Sequence, residues 1–330
     1  MQTIEYFIKY HSDLLSKMKT CNHYYDSDNP NPYHLENDLY THTMLVYNRC
    51  ETKLLQICAI LHDIGKLSTR EELSEKKYIR FRNHENVSMV LSISMLKEMV
   101  KREFISCDEM IEILYIVNYH TILYGNGNKP IDTVKHLPEN IKHFISADHS
   151  GRICLDDKEP MFEILNGINF VKDIEEKKER TPGIIISVGL PCSGKSTSIR
   201  NKDITIISRD KYIEEIGRGN TYNEKWSSLT VEEQKNIDIL YMKDFQDAVR
   251  ERKNIIIDMT NLSIKSRKKF MSIKSDYFKV ARIFLTDIET INSRNESREG
   301  KHITEETMNS MIRKFKLPTH AEGFDRIEFI

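Results

Sequence analysis

The sequence predicts a two-domain protein, in which an all-α domain is followed by an α/β domain with a parallel sheet. Three observations support this fold class. Before residue 175, apolar residues recur at the spacing of packed helices. After Gly183, short β-branched runs alternate with helical segments, which is typical of parallel strands joined by crossover helices. The 330 residues also exceed what one hydrophobic core usually holds.

The predicted domain boundary is a highly charged stretch, NFVKDIEEKKERTPG, which ends in a proline and a glycine. We therefore assign residues 1–175 to the helical domain, 176–182 to a linker and 183–330 to the α/β domain. From Gly183 onward the chain has 26 Lys and Arg against 22 Asp and Glu, whereas the rest has 23 against 28. The mildly basic C-terminal half favours polyanionic ligands.

Composition indicates a globular protein of the cytoplasm. Hydrophobic residues make up 39% of the chain and charged residues 30%. No apolar run approaches the roughly 18 residues of a membrane span, and the N-terminus lacks the cationic start and apolar core of a signal peptide. The six cysteines form no C-x-x-C pair, which argues against a disulfide framework and a cysteine-rich zinc site. We expect reduced thiols and no membrane partner.

Six helices are predicted in the first domain from the spacing of apolar residues. They run from Ile4 to Met18, Tyr40 to Asn48, Leu54 to Asp63, Glu85 to Glu103, Asp108 to Tyr119 and Asn140 to Asp148.

Polar side chains recur at the ends of these helices. The apolar stretch LLQICAIL runs directly into His62 and Asp63, whose burial costs on the order of a few kcal/mol unless each finds a partner. With His42 and Asp148 they supply imidazole and carboxylate ligands that suit Mn²⁺, Fe, Co²⁺, Ni²⁺ or Zn²⁺, and Asp63 could bridge a second ion. The alternative is a buried polar network without metal.

Five strands are predicted in the second domain, from the runs GIIISVG, ITIIS, NIIID, VARIFL and RIEFI. The first leads into GLPCSGKS, Gly189 to Ser196, which matches the P-loop pattern G-x-x-x-x-G-K-[ST] between a strand and a predicted helix. In that motif the lysine reaches the β and γ phosphates and the serine holds Mg²⁺. We expect ATP or another NTP with Mg²⁺ at Gly189, Ser193, Gly194, Lys195, Ser196 and Thr197. The alternative is a chance glycine turn.

The second strand is followed by Asp210, at the edge where ligands of parallel sheets gather. A carboxylate there can orient an acceptor hydroxyl and take its proton. Asp210 is therefore the candidate general base. The alternative is an N-cap for the helix that follows.

Two further groups are candidates for acceptor and phosphate contacts. The third strand is followed by Asp258, Thr260 and Asn261, and then by a basic helix with Arg267; a capping turn and a solvated face are the alternative. Farther along, Arg294 and Arg298 lie four residues apart before a glycine, which favours a lid over the transferred phosphate. Pairing with neighbouring glutamates is the alternative for these arginines.

The motifs GLPCSGKST, ISRD, IDMTN, RNESREGK and MIRKFKLPTHAEGFD, in this order, resemble the 5′-hydroxyl polynucleotide kinases of nucleic-acid end healing. The resemblance covers nearly all of residues 183–330 and implies the base, acceptor and lid roles given above. The phage kinases of this family have an arginine three residues after the base, where this chain has Ile213. Lys211 or Arg218 could hold the acceptor phosphate instead.

The first domain resembles the HD phosphohydrolase superfamily, with the pattern H…HD…H…H…D over roughly His34 to Arg152. The resemblance implies a core metal site and adds further site residues. It implies that His42, His62, Asp63 and Asp148 bind one ion, that His84 and His120 help to bind a second, and that His34 and Lys66 contact substrate phosphate.

Together the two halves resemble the bifunctional HD-Pnk end-healing enzymes of bacteria and their viruses. The resemblance implies that one half phosphorylates 5′-OH ends of RNA or DNA and the other removes a 3′-phosphate, 2′-phosphate or 2′,3′-cyclic phosphate, so that a separate ligase can join the ends. The sequence leaves the oligomeric state open between a monomer and a homo-oligomer, although this kinase family often assembles. Two alternatives stay open: a nucleoside or nucleotide kinase fused to a nucleotidase, and an ATP-binding regulator without transfer activity.

Overall fold

A computed structural model describes residues 1–26, 28–124, 130–155, 161–171, 179, 181–199, 204–273 and 276–330, with the backbone alone for 161 and 162. The chain divides into two compact units, Met1–Asp173 and Ile174–Ile330. Of the predicted linker, residues 176–178 and 180 lie outside the described residues. No helix in the described ranges is long and apolar enough to span a membrane.

The first unit is helical, as predicted. Its helices are α1 Thr3–Tyr10, α2 Ser12–Met18, α3 Leu39–Tyr47, α4 Lys53–Leu61, α5 Lys66–Thr69, α6 His84–Lys101, α7 Cys107–Tyr119, α8 Ile131–Lys135, α9 Asn140–Gly151 and α10 Met161–Asn166. An antiparallel hairpin of β1 Arg70–Leu73 and β2 Tyr78–Phe81 separates α5 from α6.

Helix α4 is the central element of this unit. Its residues from Leu54 to Leu61 are almost all buried, which is expected of a helix that is apolar on every face. It packs against α3, α7 and α9. Because α4 ends at Leu61, the C-cap residue His62 and the turn residue Asp63 emerge inside the helical core rather than at its surface.

Two local predictions for this unit need correction. The single helix predicted from Ile4 to Met18 is two helices, because His11 adopts a non-helical φ of −139° between them. The hairpin was not predicted. Its strands, REEL and YIRF, are short and mostly half-exposed, and they lack a clear alternation of apolar residues.

The second unit contains all five predicted strands: β3 Gly183–Val188, β4 Thr205–Ile207, β5 Ile255–Ile257, β6 Phe278–Ile283 and β7 Arg326–Phe329. They form one sheet in the order β4-β5-β3-β6-β7, and every neighbouring pair is parallel. The connecting helices are α11 Arg209–Ile216, α12 Tyr222–Ser227, α13 Val231–Arg250, α14 Ile264–Met271, α15 Ile288–Glu296 and α16 Glu305–Ile312. The α/β fold class is thus confirmed.

The strand order positions the glycine-rich loop at the centre of the sheet. Because β3 lies between β5 and β6, the loop that follows it meets the segments that follow its neighbours. One prediction fails here: after the loop the described chain forms only a short 3-10 turn, Ser196–Ser198, instead of a longer helix. Only six residues separate this turn from β4, which starts at Thr205, and 200–203 lie outside the described residues.

Candidate active sites

Four of the predicted metal ligands of the helical unit meet at one point. His42 lies on α3, His62 and Asp63 follow α4, and Asp148 lies on α9. The Nε2 atom of His42 is 3.2 Å from Asp148 Oδ1 and 3.5 Å from Asp63 Oδ2. The Nε2 atom of His62 is 3.1 Å from Asp63 Oδ2 and 3.7 Å from Asp148 Oδ1. These four donor atoms could hold one ion.

A second group of donors shares Asp63. The other carboxylate oxygen, Oδ1, is 3.0 Å from His84 Nε2 and 3.6 Å from His120 Nε2. The two Nε2 atoms are 3.3 Å apart. Asp63 therefore faces one group of ligands with each oxygen, which is the arrangement that a carboxylate bridging two metal ions requires.

Gly65 allows this arrangement, because the turn after Asp63 passes directly against the start of α6. A Cβ atom at Gly65 would lie 2.2 Å from the carbonyl oxygen of His84 and 2.7 Å from the backbone nitrogen of Ser88. The Gly65 N–H donates to Ser88 Oγ at 2.8 Å. The glycine thus brings Asp63 within reach of His84.

The orientation of the imidazoles favours metal binding. Three of them contact, through Nδ1 at 2.8 Å, the carbonyl oxygen three residues earlier: His62 with Ala59, His84 with Phe81, and His120 with Val117. Since a carbonyl only accepts, Nδ1 carries the proton and Nε2 presents its lone pair to the cluster. This is the usual support of histidine ligands.

The same contacts test whether metal ions fit. The Nε2 atoms of His42 and His62 lie 3.4 Å apart, and in their neutral forms these facing lone pairs repel each other. Asp63 Oδ1 is buried and has no hydrogen-bond partner among the described residues. A cation between these atoms would satisfy all of them, so the donor set fits one or two divalent ions.

The pKa shifts indicate the same demand for positive charge. Burial opposes ionisation of Asp63, but His62 and Lys66 outweigh it and hold the pKa of Asp63 well below its usual value. Burial likewise opposes the charge of His42, but its bonds to Asp148 and Glu36 raise its pKa to about 9. Without an ion, a proton on His42 compensates the carboxylates.

The two predicted phosphate contacts lie at different places. Lys66 Nζ is 2.7 Å from Asp63 Oδ2 and is therefore part of the cluster. His34 is connected to the cluster through Glu36. Its Nδ1 lies 2.7 Å from Glu36 Oε1, and the same oxygen is 2.9 Å from Nδ1 of the candidate ligand His42.

Two supporting residues were missed by sequence reasoning. Glu36 orients His42 as described, and its position two residues after His34 in HLEN was the only available signal. The hydroxyl of Tyr124 donates to Asp148 Oδ2 at 2.7 Å. No feature of the sequence around Tyr124 distinguishes it from the neighbouring tyrosines.

In the α/β unit, the glycine-rich loop encloses the lysine predicted to bind phosphate. Lys195 Nζ donates to the carbonyl oxygens of Gly189 at 3.0 Å and Leu190 at 2.6 Å, and lies 3.3 Å from Ser193 Oγ. Burial lowers the pKa of Lys195 to about 8, and the partial compensation comes from nearby carboxylates. The loop curls tightly, with positive φ at Cys192 and Gly194.

The predicted magnesium ligand has a carboxylate partner. Ser196 Oγ donates to Asp258 Oδ2 at 2.8 Å. A P-loop hydroxyl beside a carboxylate from a neighbouring strand is the donor pair that P-loop enzymes use for Mg²⁺. Thr197 follows in the 3-10 turn. The magnesium role of Ser196 stays a prediction, and Asp258 joins it as a second candidate ligand.

Asp210 is fixed by two residues that sequence reasoning did not assign. The Tyr222 hydroxyl donates to Oδ1 at 2.7 Å, and Lys301 Nζ donates to Oδ2 at 2.5 Å. Burial, together with the Asp210 charge, raises the pKa of Tyr222, so that it stays a hydroxyl donor. The side chain of Asp210 does not cap α11. Its position fits a base presented to an acceptor.

The two predicted lid arginines lie over the loop. Arg294 Nη1 donates to the carbonyl oxygen of Cys192 at 3.0 Å, and Arg298 Nη1 is 3.9 Å from Cys192 Sγ. Both guanidinium groups thus approach the loop that would hold the phosphates of a nucleotide.

The acceptor contacts predicted after β5 need correction. Arg267 is fully buried, and its guanidinium binds both carboxylate oxygens of Glu322 at 2.7 and 2.8 Å. It also donates to the carbonyl oxygens of Asn261, Leu262 and Lys316. With every donor directed inward, Arg267 stabilises the fold and does not face an acceptor.

Asn261 and Thr260 likewise support the sheet edge. Asn261 is buried, and its Nδ2 donates to the carbonyl oxygen of Ser187 at 2.9 Å. The carbonyl oxygen of Thr260 accepts from Gly189 N–H at 3.0 Å. They tie the segment after β5 to the start of the glycine-rich loop, which corrects the acceptor role predicted for Asn261.

The surroundings of Ile213 bear on the two substitutes suggested for the missing arginine. Ile213 is buried on α11. The two suggested substitutes already have acidic partners: Lys211 Nζ is 3.7 Å from Asp244 Oδ2, and Arg218 pairs with Glu233. Among the described contacts, these cations pair with acidic residues and not with Asp210.

Comparison with known proteins identifies both units. The HD domain family matches residues 34–141, and an AAA domain family matches residues 184–318. The chain therefore carries an HD domain in its first unit and a P-loop domain in its second.

One curated relative is the bifunctional polynucleotide phosphatase/kinase of Schizosaccharomyces pombe, which is 28% identical over 163 residues. The match covers 46% of this chain and 34% of the relative, so the chain spans about a third of the relative's length. The solved Pnkp1/Rnl/Hen1 RNA repair complex matches with 20% identity and a TM-score of 0.34, over 42% of this chain and 46% of the other. A second Pnkp1/Rnl/Hen1 complex matches with 21% identity and a TM-score of 0.31, over 40% and 43%.

Proposed function

We propose that this chain, in which an HD domain precedes a P-loop domain, is a bifunctional nucleic-acid end-healing enzyme. The P-loop half transfers the γ-phosphate of ATP to a 5′-hydroxyl end. The HD half removes a 3′-phosphate, a 2′-phosphate or a 2′,3′-cyclic phosphate. The observation that carries the proposal is Asp210, held by Tyr222 and Lys301 close enough to the P-loop for its charge to act on Lys195.

The kinase half has a group for each demand of phosphoryl transfer. Lys195 leaves its loop carbonyls to contact the β and γ phosphates, as P-loop lysines do. Ser196 and Asp258 would hold Mg²⁺, which neutralises phosphate charge when bound. Arg294 and Arg298 add positive charge where the phosphoryl group passes from donor to acceptor.

The acceptor proton goes to Asp210. Its Oδ1 and Oδ2 each accept one hydrogen bond, from Tyr222 and Lys301, and each oxygen keeps a lone pair for the acceptor hydroxyl. An ionised carboxylate orients the 5′-oxygen and takes its proton as the bond to phosphorus forms. ATP binding alone would not require this group, which weighs against a purely regulatory role.

The HD half has a donor set for two ions that share Asp63. His42, His62 and Asp148 complete one group, and His84 and His120 complete the other. Bound divalent ions withdraw charge from a phosphoryl group and lower the pKa of water. Lys66, whose Nζ lies beside Asp63, is our candidate for contact with the departing phosphate.

The acceptor class is proposed to be polynucleotide rather than free nucleoside. The relative named a polynucleotide phosphatase/kinase supports this choice through its similarity over 163 residues. The products, a 5′-phosphate and a 3′-hydroxyl, are the two groups that a ligase joins. A separate nucleic-acid ligase is therefore the proposed partner, and RNA with 5′-OH and 3′-phosphate ends the proposed substrate.

The kinase assay compares acceptors of different size. With γ-labelled ATP, we expect label on a 5′-OH RNA or DNA oligonucleotide and little on nucleosides or mononucleotides. Lys195→Ala and Asp210→Ala should each abolish the transfer, while His62→Ala should leave it intact. Label found only on small molecules would contradict end healing and indicate a nucleoside or nucleotide kinase. ATP binding without transfer to any acceptor would indicate a regulator.

A further inference from the structure

Helix α12 carries an aromatic pair beside the proposed base, and the proposed mechanism uses only one of its two members. Tyr222 and Trp226 are four residues apart on this helix and so lie on the same face. Tyr222 contacts Asp210, whereas Trp226 lies one helical turn farther along and is 41% exposed. Trp226 is also the only tryptophan in the sequence. Trp226 thus presents aromatic surface to solvent one helical turn from the residue that holds the proposed base.

Both rings are paired with cations. Lys301 Nζ lies 3.8 Å from the centre of the Tyr222 ring, and the guanidinium of Arg209 lies 4.9 Å from the centre of the Trp226 ring. Arg209 is fixed in turn by Asp238, whose Oδ1 accepts from Nε at 2.8 Å. The tryptophan therefore has an ordered cation on it and still retains solvent-exposed surface.

Helix α12 is also tied to the segment that follows the lid arginines. Asn223 N–H donates to the carbonyl oxygen of Gly300 at 3.0 Å, and Asn223 Nδ2 donates to that of His302 at 2.8 Å. Hydrogen bonds thus hold helix α12 and its aromatic pair against Asp210 and against the segment that follows the lid arginines.

We propose that Trp226 stacks on the nucleobase of the 5′-terminal nucleotide whose hydroxyl is presented to Asp210. This inference rests on the proposed kinase function and specifies how its acceptor is held. At about 1.5 Å per residue, Tyr222 and Trp226 are separated by about 6 Å along the helix axis, a span comparable to that between a nucleotide's 5′-oxygen and its base. Stacking suits an end-healing enzyme, because every base offers a π face and no sequence is preferred.

The placement also explains how an acceptor is recognised without an arginine at Ile213. Lys211 and Arg218 are neutralised by Asp244 and Glu233. Recognition through the terminal base then replaces recognition through an acceptor phosphate.

The direct test pairs a protein change with a matching substrate change. Trp226→Ala should raise the KM for a 5′-OH oligonucleotide about tenfold, the loss expected when one base loses its aromatic partner, with kcat and the KM for ATP unchanged. With the unaltered protein, an oligonucleotide whose 5′-terminal nucleotide lacks a base should show the same rise in KM, about tenfold. With Trp226→Ala, the oligonucleotides with and without the terminal base should have the same KM. Trp226→Phe should recover most of the affinity.

The proposal is overturned if Trp226→Ala and removal of the terminal base raise the KM independently of each other. If the missing base and Trp226→Ala multiply their effects, or if Trp226→Ala leaves the KM for the acceptor unchanged, the base does not stack on Trp226. Ile239→Ala, which alters a 66% exposed side chain on α13, is the matched surface control and should change nothing. Thermal unfolding of each variant excludes a folding defect as the cause of a raised KM.

A binding measurement keeps this test separate from the kinase activity. Since Trp226 is the sole tryptophan, fluorescence excited at wavelengths that tyrosine does not absorb reports on this site alone. A 5′-OH oligonucleotide should quench it, the acceptor lacking the terminal base should quench it much less, and ATP with Mg²⁺ should not change it strongly. Equal quenching by both oligonucleotides would contradict stacking even if phosphate transfer occurs. Selective quenching without transfer would uphold stacking and overturn the kinase assignment.

Discussion

The candidate metal-ligand cluster of the HD unit is buried, whereas the proposed acceptor edge of the P-loop unit is open. His42 and His62 are fully buried, and the side chain of Asp210 is 48% exposed. In the first site, backbone carbonyls orient three of the imidazoles. In the second, Lys195 is bonded to its own loop, and in the proposed mechanism a nucleotide releases it. The candidate metal ligands are thus already close together in the protein alone, whereas the proposed kinase site is completed by its substrates.

This difference has a physical reason. Metal ligands must be close together before an ion binds, and their mutual repulsion and desolvation are tolerated only within a rigid, packed core. Phosphoryl transfer instead requires positioning of two separate substrates, which must enter and leave. A substitution in one unit should therefore impair the activity proposed for that unit and leave the activity proposed for the other unit unchanged.

The largest expected effect is that of Asp63→Asn. Because Asp63 faces both groups of ligands, the change should abolish release of 3′-phosphate and reduce the bound metal from two ions per chain to at most one. Kinase activity should persist. Metal content by mass spectrometry and phosphate release would be measured beside Asp132→Asn, an exposed control. Unchanged metal content and phosphatase activity in Asp63→Asn would refute the shared ligand.

The next largest effect concerns Asp210→Asn. Loss of the base should lower kcat for 5′ phosphorylation by about 10²- to 10⁴-fold, while ATP affinity and phosphatase activity stay unchanged. Single-turnover transfer from labelled ATP is the measurement, and Asp247→Asn in a surface ion pair is the control. Transfer at the original rate would remove Asp210 from the mechanism.

Glu36→Gln should have an intermediate effect that distinguishes a positioning residue from a ligand. Glu36 contacts Nδ1 of His42, so its loss should weaken metal affinity about 10- to 100-fold. Phosphatase activity should return when excess metal is added, which Asp63→Asn cannot achieve. Metal titration of the two variants, with exposed Glu163→Gln as control, makes the comparison. Failure of excess metal to restore Glu36→Gln would place Glu36 in direct contact with the reaction.

The smallest effect is a proton linked to ATP binding. With its pKa lowered to about 8 by burial, Lys195 is charged in the free protein below pH 8 and loses its proton above it. ATP phosphates require the charged form, so binding should take up a proton above about pH 8 and weaken as pH rises. Calorimetry in two buffers of different ionisation enthalpy measures this uptake.

Lys195→Arg supplies the control, because arginine stays charged and the pH dependence should disappear. If the unaltered protein binds ATP with no proton uptake at pH 9, the buried neutral lysine does not describe the free state.

Much of the fold and of the two candidate sites was predictable from sequence. The P-loop spacing and the five β-branched runs predicted the sheet and its glycine-rich loop, because these patterns follow from backbone geometry. The histidines and aspartates at helix ends were predicted as one cluster, and the structure brings all six together. Their roles as metal ligands stay predictions that the metal measurements test.

What sequence could not predict depends on long-range packing. Tyr222, Lys301 and Glu36 support the sites from other segments of the chain, and no local pattern identifies such partners. Arg267 was misassigned for the same reason: a basic helix suggests a solvated face, but Glu322, 55 residues later, holds this arginine in the interior. The break at His11 depends on one backbone angle.

The most direct test of the central claim uses one RNA fragment with a 5′-OH and a fragment with a 2′,3′-cyclic phosphate, incubated together with ATP and metal ions. Mass spectrometry of both ends would follow the conversion. The account predicts a 5′-phosphate on one end and a hydroxyl on the other, with Lys195→Ala blocking only the first change and His62→Ala only the second. Conversion of neither end, or loss of both changes in either variant, would contradict two independent end-healing sites.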